Sequence, residues 1–353
     1  MSFLHIKNVK IAGISTGVSK RIIDNINDVT NISANYDVQD FVATTGVRYR
    51  RVDLGLTTSD LCYHATERLI SDLGWKKADI DGIIMVTQTP DYIIPATACI
   101  LQDRLQLNRE CYALDISLGC SGWTYGLSVA ASLLQNGTMK KLLLLAGDAR
   151  GLIKSMDYTK TDPLFGHAGT VTALEYAEGE EGFRFHFGTD GSGYDAIIIP
   201  DGGCRNQVSP DSFNETEFEG KTYNQLQARM KGMDVFSFGI SVVPKSIKKL
   251  AEHFDLSLDS IDYFVLHQAN LKMLETIRKR LKAPEEKFPY SLYEFGNTSS
   301  ASIPITITTQ LANKVANQKT NFIACGYGVG LSWGTVAFET KKLTISDLVE
   351  VES

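Results

Sequence analysis

A chain of 353 residues, 43% of them apolar and 22% charged, is long enough for two packed halves, and this composition excludes a disordered, collagen-like or membrane-embedded protein. A formal charge of −6 argues against a general nucleic-acid binder, which needs a broad basic surface. The six cysteines (Cys62, Cys99, Cys111, Cys120, Cys204 and Cys325) show no paired spacing, so neither a zinc site nor a disulfide framework is expected, and a reducing, cytoplasmic setting fits.

The opening "MSFLHIKNVKIAG" lacks a basic stretch followed by a long apolar core and a cleavage site, so no signal peptide is expected. Next, "LCYHATERLISDLGW" reads as a helix and "IDGIIMVTQ" as a buried strand. "CYALDIS" reads as a further strand, and "GWTYGLSVAASLLQNG" as a helix stopped by Asn-Gly. "KKLLLLAGD" is the most apolar run, far too short to cross a bilayer, and reads as a buried strand. Residues 177–230 are rich in Gly, Asp, Ser and Asn and read as a crossover or insertion. Beyond them come the helix "VPKSIKKLAEHFDL", the strand "IDYFVLHQ", a basic helix "LKMLETIRKRLKAPEEK" and a turn at Gly296-Asn297. The helix "ASIPITITTQLANKV" and the strands "NFIACGYG" and "WGTVAFE" complete the chain. Such alternation predicts a mostly parallel α/β sheet covered by helices.

The two halves resemble each other. "IDGIIMVTQ" answers "IDYFVLHQ", "KLLLLAGD" answers "TNFIACGYG", and "GTVTALEY" answers "GTVAFETK", each time about half the chain apart. Three matches in the same order favour a duplicated α/β unit over chance likeness between ordinary strands. The expected organisation is a first half over 1–176, a crossover over 177–230 and a second half over 231–353. In open α/β sheets ligands bind beyond the carboxyl ends of the strands, so equivalent loops of two copies would meet at a shared site.

Cys120 falls at the join of a predicted strand and a predicted helix. There the free amides and the macrodipole of a helix N-terminus favour a thiolate, the reactive form. A small residue used only for strand-to-helix packing would look similar. His267 ends an apolar strand at the repeat position of Gln88. A lone histidine is more often a hydrogen-bonded structural residue than a catalyst. Asn297 follows Gly296 at a place comparable to Cys120 in its own copy; it either stabilises a turn or offers a neutral donor to a developing oxyanion. "CGYGVGLSWG" lacks dinucleotide-loop spacing, but its backbone amides are suited to an oxyanion hole.

Cysteine in "DISLGCSGWTYGL", histidine in "HQAN" and asparagine in "GNTSSASIP", with "YGVGLSWGT" near the end, together resemble the β-ketoacyl-acyl-carrier-protein synthase III family, condensing enzymes of the thiolase superfamily. "TTGVRYRR", "TPDYIIPATACILQDRL", "LFGHAG" and "MKGMDVFSFGI" extend the resemblance over about residues 35–340. It implies a thiolase-like α/β fold of five layers, α-β-α-β-α, and a homodimer. It implies that Cys120 takes an acyl group from acyl-CoA or an acyl carrier protein, and that malonyl-acyl carrier protein then loses CO2 and attacks the acyl-enzyme. His267 and Asn297 would stabilise the enolate, and the amides of Cys120 and Val329 would hold the tetrahedral oxyanion. No metal or other cofactor is required, and neither a nucleic acid nor a membrane is expected as a partner. Ile94 and Trp123 are assigned to the primer pocket, and Lys272 to docking of the acidic carrier protein.

Several positions depart from the family's pattern. Asp40 and Thr44 replace the tryptophan and arginine that clamp a CoA adenine, which favours a carrier-bound primer. Ile94 stands where acetyl-selective members place a phenylalanine that reaches into the partner's pocket, so a longer or branched primer is expected. His167 replaces an aspartate and reads as a structural substitution rather than a second titratable group at the site, and Val329 replaces the central glycine of a glycine triplet. Two alternatives remain at this level: a relative that transfers the acyl group to another carbon, nitrogen or oxygen acceptor, and a non-catalytic partner subunit.

Overall fold

Two sheets carry the chain, and the duplication read from the sequence is visible in their strand order. The computed structural model describes residues 2–28, 38–149 and 163–353. In the first sheet the order is Thr344–Ile345, Val9–Ser19, Ala168–Tyr176, Lys141–Asp148, Gly82–Val86 and Tyr112–Ile116, with Val349–Val351 also paired to Val9–Ser19. In the second it is Ser2–Ile6, Phe183–Thr189, Ser332–Thr340, Thr320–Gly328 and Tyr263–Leu266. Lys141–Asp148 runs antiparallel to Ala168–Tyr176 and parallel to Gly82–Val86. Thr320–Gly328 likewise runs antiparallel to Ser332–Thr340 and parallel to Tyr263–Leu266. Val9–Ser19 and Phe183–Thr189 extend the two motifs by equivalent antiparallel pairings.

The sheets are thus mixed rather than mostly parallel. A strand buried on both faces reads as a continuous apolar run whichever way its neighbour points, so direction was not encoded in the pattern. The halves are also not contiguous in sequence. Ser2–Ile6 belongs to the second sheet, whereas Thr344–Ile345 and Val349–Val351 return to the first. Phe183–Thr189, inside the stretch read as a crossover, is an interior strand with Phe183 and Phe185 buried. Its alternation with Arg184 and His186, between glycine-rich flanks, disguised it.

Five layers follow from which face each side chain takes. On the outer side of the first sheet, Cys62, Ala65 and Leu69 of helix Thr58–Leu73 pack on Ile83, Met85, Leu143 and Leu145. The intervening positions Ile84, Val86, Leu142 and Leu144 face inward, onto Trp123 and Leu127 of helix Gly122–Leu134 and Ile303 and Ile307 of helix Ser302–Gln310. That same central core includes Phe322 and Val336 of the second sheet. The opposite face of that sheet, through Ile323 and Cys325, is covered by helices Gly232–His253 and Leu271–Leu281. The period-two switch of faces is what sends one strand's side chains into two layers. Full burial of each Leu, Ile or Val stabilises the fold by about 1.5–3 kcal/mol, before entropy is charged against it.

Helix starts and stops obey local chemistry. Thr57 and Asp60 form a reciprocal capping box ahead of Thr58–Leu73, and Gly74, at φ 62°, ends it. The helix Gly122–Leu134 stops one turn before Gly137, which takes φ 73° as the Asn-Gly signal predicted. Close layer packing depends on Gly17, where an added Cβ would lie 2.3 Å from the Leu61 carbonyl oxygen. Gly17→Ala should therefore cost about 3 kcal/mol, the upper end for overpacking against backbone, read from the midpoint of urea unfolding. An unchanged midpoint would contradict this account of the layer contact.

Candidate active site

Cys120 lies between strand Tyr112–Ile116 and helix Gly122–Leu134, so its sulfur sits beside the helix N-terminus, and only 7% of the residue is exposed. The turn is tight because its neighbours are small. At Gly119 a Cβ would fall 2.3 Å from the Gln88 side-chain oxygen, and at Gly326 2.7 Å from the Cys120 carbonyl oxygen. Gly328 approaches most closely, since a Cβ there would lie 2.8 Å from Cys120 Cβ and 3.0 Å from Sγ. Its φ of 154° is a further reason for glycine. The Gly328–Val329 turn of the second sheet is thereby pressed against the sulfur of the first half.

His267 follows strand Tyr263–Leu266, and its backbone N–H donates to the Cys325 carbonyl at 2.9 Å. The ring is buried, edge-on to Tyr327 at 5.4 Å between centroids, and its Nδ1 is 2.8 Å from the Ser302 hydroxyl. With Nδ1 engaged, Nε2 is the ring nitrogen left for a ligand. Asn297 is held at both ends of its peptide, donating to Leu164 O at 2.9 Å and accepting from Gly166 N at 3.1 Å. Its side-chain oxygen accepts the Ser299 N–H at 2.9 Å, which turns the amide nitrogen the other way. The Nδ2 has the Ala269 carbonyl only at 3.5 Å. Ser299 Oγ lies 3.9 Å from Cys120 Sγ.

Cys120, His267, Asn297 and Val329 line one cavity of about 380 Å³, and the exposed Lys272 lines it as well. Each half of the fold contributes, as the repeat implied. Sequence reading missed part of the lining: Phe218, Tyr223, Arg229 and Met230 come from the region read as a surface crossover. There Phe218 meets Tyr223 edge-on and Arg229 stacks over the Phe218 ring at 5.7 Å. Ser302, five positions beyond Asn297, also carried no signal, because its role is visible only once a helix turns it toward His267.

Other assignments do not meet at this cavity. Trp123 is no pocket residue: its indole is fully buried in the central core and donates to Thr172 Oγ1 at 3.0 Å. A tryptophan one turn into an interlayer helix is drawn to the apolar side, and this one finds its polar partner there. Ile94 is 83% exposed, next to Tyr92 and Ile93 on the same surface loop, and is not among the residues lining the cavity at Cys120. Asp40 and Thr44 are exposed on the short helix Val38–Thr45. His167 is buried away from the cavity, with its Nδ1 accepting the Asp53 N–H at 3.5 Å. Among the described residues no cluster of three or more metal-ligating side chains occurs, and no helix is long and apolar enough to cross a membrane.

Comparison with known proteins agrees over the whole length. Residues 114–191 match the family model described as 3-oxoacyl-[acyl-carrier-protein (ACP)] synthase III, and residues 251–340 match its C-terminal counterpart. A β-ketoacyl-[acyl-carrier-protein] synthase III of Clostridium perfringens is 31% identical over 93% of this chain and 98% of its own. A synthase III of Bacillus cereus is 32% identical over 95% of this chain and 100% of its own. Among solved structures, a 3-oxoacyl-(acyl-carrier protein) synthase from Burkholderia xenovorans superposes with a TM-score of 0.91 at 37% identity, covering 99% of both chains.

Burial holds the His167 imidazole down to about 4, with the nearby Arg50 charge reinforcing and the Asp53 charge opposing the shift from the ordinary 6.5. The folded state thus refuses a proton that the unfolded chain accepts below pH 6.5, and stability is lost as pH falls from there toward 4. Wild type should lose roughly 2–3 kcal/mol between pH 7.5 and 4.5 relative to His167→Gln, measured by urea unfolding at both values. A difference between the two proteins that does not change with pH would contradict the assignment.

Proposed function

Because the chain belongs to the β-ketoacyl-acyl-carrier-protein synthase III family, we propose that it is an acyltransferase that condenses an acyl primer with a malonyl thioester at Cys120. The observation that carries this reading is the meeting of Cys120, His267, Asn297 and the Gly328–Val329 turn at one cavity. In the first half-reaction the Cys120 thiolate attacks the primer's thioester carbon. A new C–S bond forms to Cys120 and the C–S bond to the donor breaks; the donor leaves as a thiolate and takes up the proton that Cys120 gave up on ionising, while the transient oxyanion is held by the amides of Cys120 and Val329. In the second, the malonyl carbon–carboxylate bond breaks, CO2 departs, and the electron pair passes into an enolate. The enolate carbon then attacks the acyl-enzyme and expels the Cys120 thiolate.

His267 and Asn297 suit the second step because both are neutral donors. An Nε2–H, favoured when Nδ1 accepts from the Ser302 hydroxyl, and the Asn297 Nδ2 would bind the thioester oxygen as negative charge accumulates on it. A cation at that place would bind the malonyl carboxylate as strongly as the enolate, and so would gain little at the transition state. Loss of CO2 itself supplies the carbanion, so the reading requires no metal or other cofactor.

An acyl carrier protein fits as the partner that delivers the malonyl group, with Lys272 at the cavity as its docking charge on an otherwise acidic chain. The exposure of Asp40 and Thr44, with no aromatic or guanidinium clamp at either position, supports a carrier-bound primer over a CoA-bound one. The exposed loop with Tyr92, Ile93 and Ile94 suits the homodimer contact that would bring Ile94 to the partner's primer pocket. The enzyme so read is cytoplasmic and starts fatty-acid or related acyl chains.

Malonyl-acyl carrier protein labelled at the free carboxyl should release labelled CO2 only when a primer thioester is present. His267→Ala and Asn297→Ala should each lower that release by about a hundredfold, the scale for loss of an oxyanion donor. Intact-mass spectrometry should find an acyl adduct on the wild type and none on Cys120→Ala. An adduct without CO2 release from any primer would instead assign the acyl group to another acceptor. Lys272→Glu should weaken use of a carrier-bound substrate about tenfold or more while sparing a small thioester, given the reversed charge. Equal loss on both would remove the docking role.

A further inference from the structure

Ser121, the residue after the nucleophile, occupies the N-cap of helix Gly122–Leu134 yet makes no capping hydrogen bond. A serine there ordinarily accepts an amide proton of the first turn from an extended backbone. Here the backbone is helical (φ −88°, ψ −6°), and the hydroxyl crosses the seam to Ser332 Oγ at 2.7 Å. Ser332 Oγ in turn donates to the Val329 carbonyl at 2.7 Å. One hydroxyl has one proton, so the direction of the chain is fixed: Ser121 donates to Ser332, and Ser332 donates to Val329 O. Ser121 is fully buried and Ser332 nearly so, which strengthens both bonds and makes their loss costly.

We propose that Ser121 and Ser332 are positioning residues for the oxyanion hole, tying the turn that carries the Val329 amide to the residue that follows the Cys120 amide. The inference rests on the condensing-enzyme reading and adds to it the device that sets the spacing of its two donors. The need is physical. Gly328, with φ 154°, and Gly330, with φ 140°, flank Val329, so glycine leaves the turn free to rotate its peptides on either side. A peptide rotated the wrong way would present a carbonyl where a donor is required. Ser332 holds the peptide that follows Val329 through its carbonyl, and the packing of Gly328 against the Cys120 side chain limits rotation of the preceding peptide, which carries the Val329 N–H. Because the pin is itself anchored on Ser121, the two amides move as one unit across the join between halves.

Two reactions of the same sulfur separate this role from a structural one. Acylation by a thioester passes through a tetrahedral oxyanion, whereas alkylation by iodoacetamide displaces iodide at a saturated carbon and forms none. Acetyl-, isobutyryl- and octanoyl-N-acetylcysteamine would serve as thioesters, with both rates followed by intact mass. Ser332→Ala should slow acylation about tenfold or more, part of what outright loss of an oxyanion donor costs, while alkylation stays within about twofold. Ser332→Thr, which keeps the hydroxyl, should restore acylation, and Ser121→Ala should show a smaller loss than Ser332→Ala. Parallel loss of both reactions, or acylation unchanged in Ser332→Ala, would overturn the proposal. A wild-type protein that alkylates but accepts no acyl group from any thioester would overturn the functional reading itself, and this proposal with it.

Discussion

The close approach of Gly328 to Cys120 is the contact on which the rest of the site depends. A strand end of the second sheet is packed on the nucleophile turn of the first, so closely that a single methyl group would not fit between Gly328 and the cysteine side chain. That contact fixes where the two halves meet. His267 and Asn297, both from the second half, line the same cavity as the sulfur. His267 is hung from Cys325, three residues before Gly328 on the same strand. Asn297 is hung from the Leu164–Gly166 segment of the first half, so the asparagine turn is itself clasped across the seam.

On the proposed mechanism both copies of the folded unit are needed, for a chemical reason. A thiolate nucleophile suits a helix N-terminus at the end of a parallel strand, and one copy provides that geometry. Neutral donors for an enolate have to stand on the other side of the substrate, and the second copy provides the equivalent strand ends facing back. The five-layer packing makes this rigid: helices Gly122–Leu134 and Ser302–Gln310 are shared by both sheets in one continuous core. Trp123, fully buried beside the nucleophile turn, belongs to this support rather than to the pocket.

The residues proposed to carry the chemistry were easier to pick out in the sequence than their surroundings. Cys120, His267 and Asn297 stand at the ends of strongly apolar runs or at a Gly-Asn turn, where local pattern is strongest. The duplication could be read because three pairs of strands kept their order. Strand direction could not, since Leu142 to Leu145 face two cores and show no alternation. The strand Phe183–Thr189 was concealed by polar flanks, and with it the place where the chain changes sheets. Phe218 and Arg229 gave no sign of reaching the cavity, because only the fold of the polar crossover carries them there. The serine chain of Ser121 and Ser332 was likewise invisible, being a contact between residues 211 positions apart.

The most direct test of the central claim is a crystal structure of the protein with a non-hydrolysable malonyl thioester analogue, in which an amide replaces the thioester. The analogue's carbonyl oxygen should lie about 3 Å from both His267 Nε2 and Asn297 Nδ2, with its malonyl carbon turned toward Cys120 Sγ. An analogue bound in the same cavity with that oxygen hydrogen-bonded to neither side chain would contradict the account.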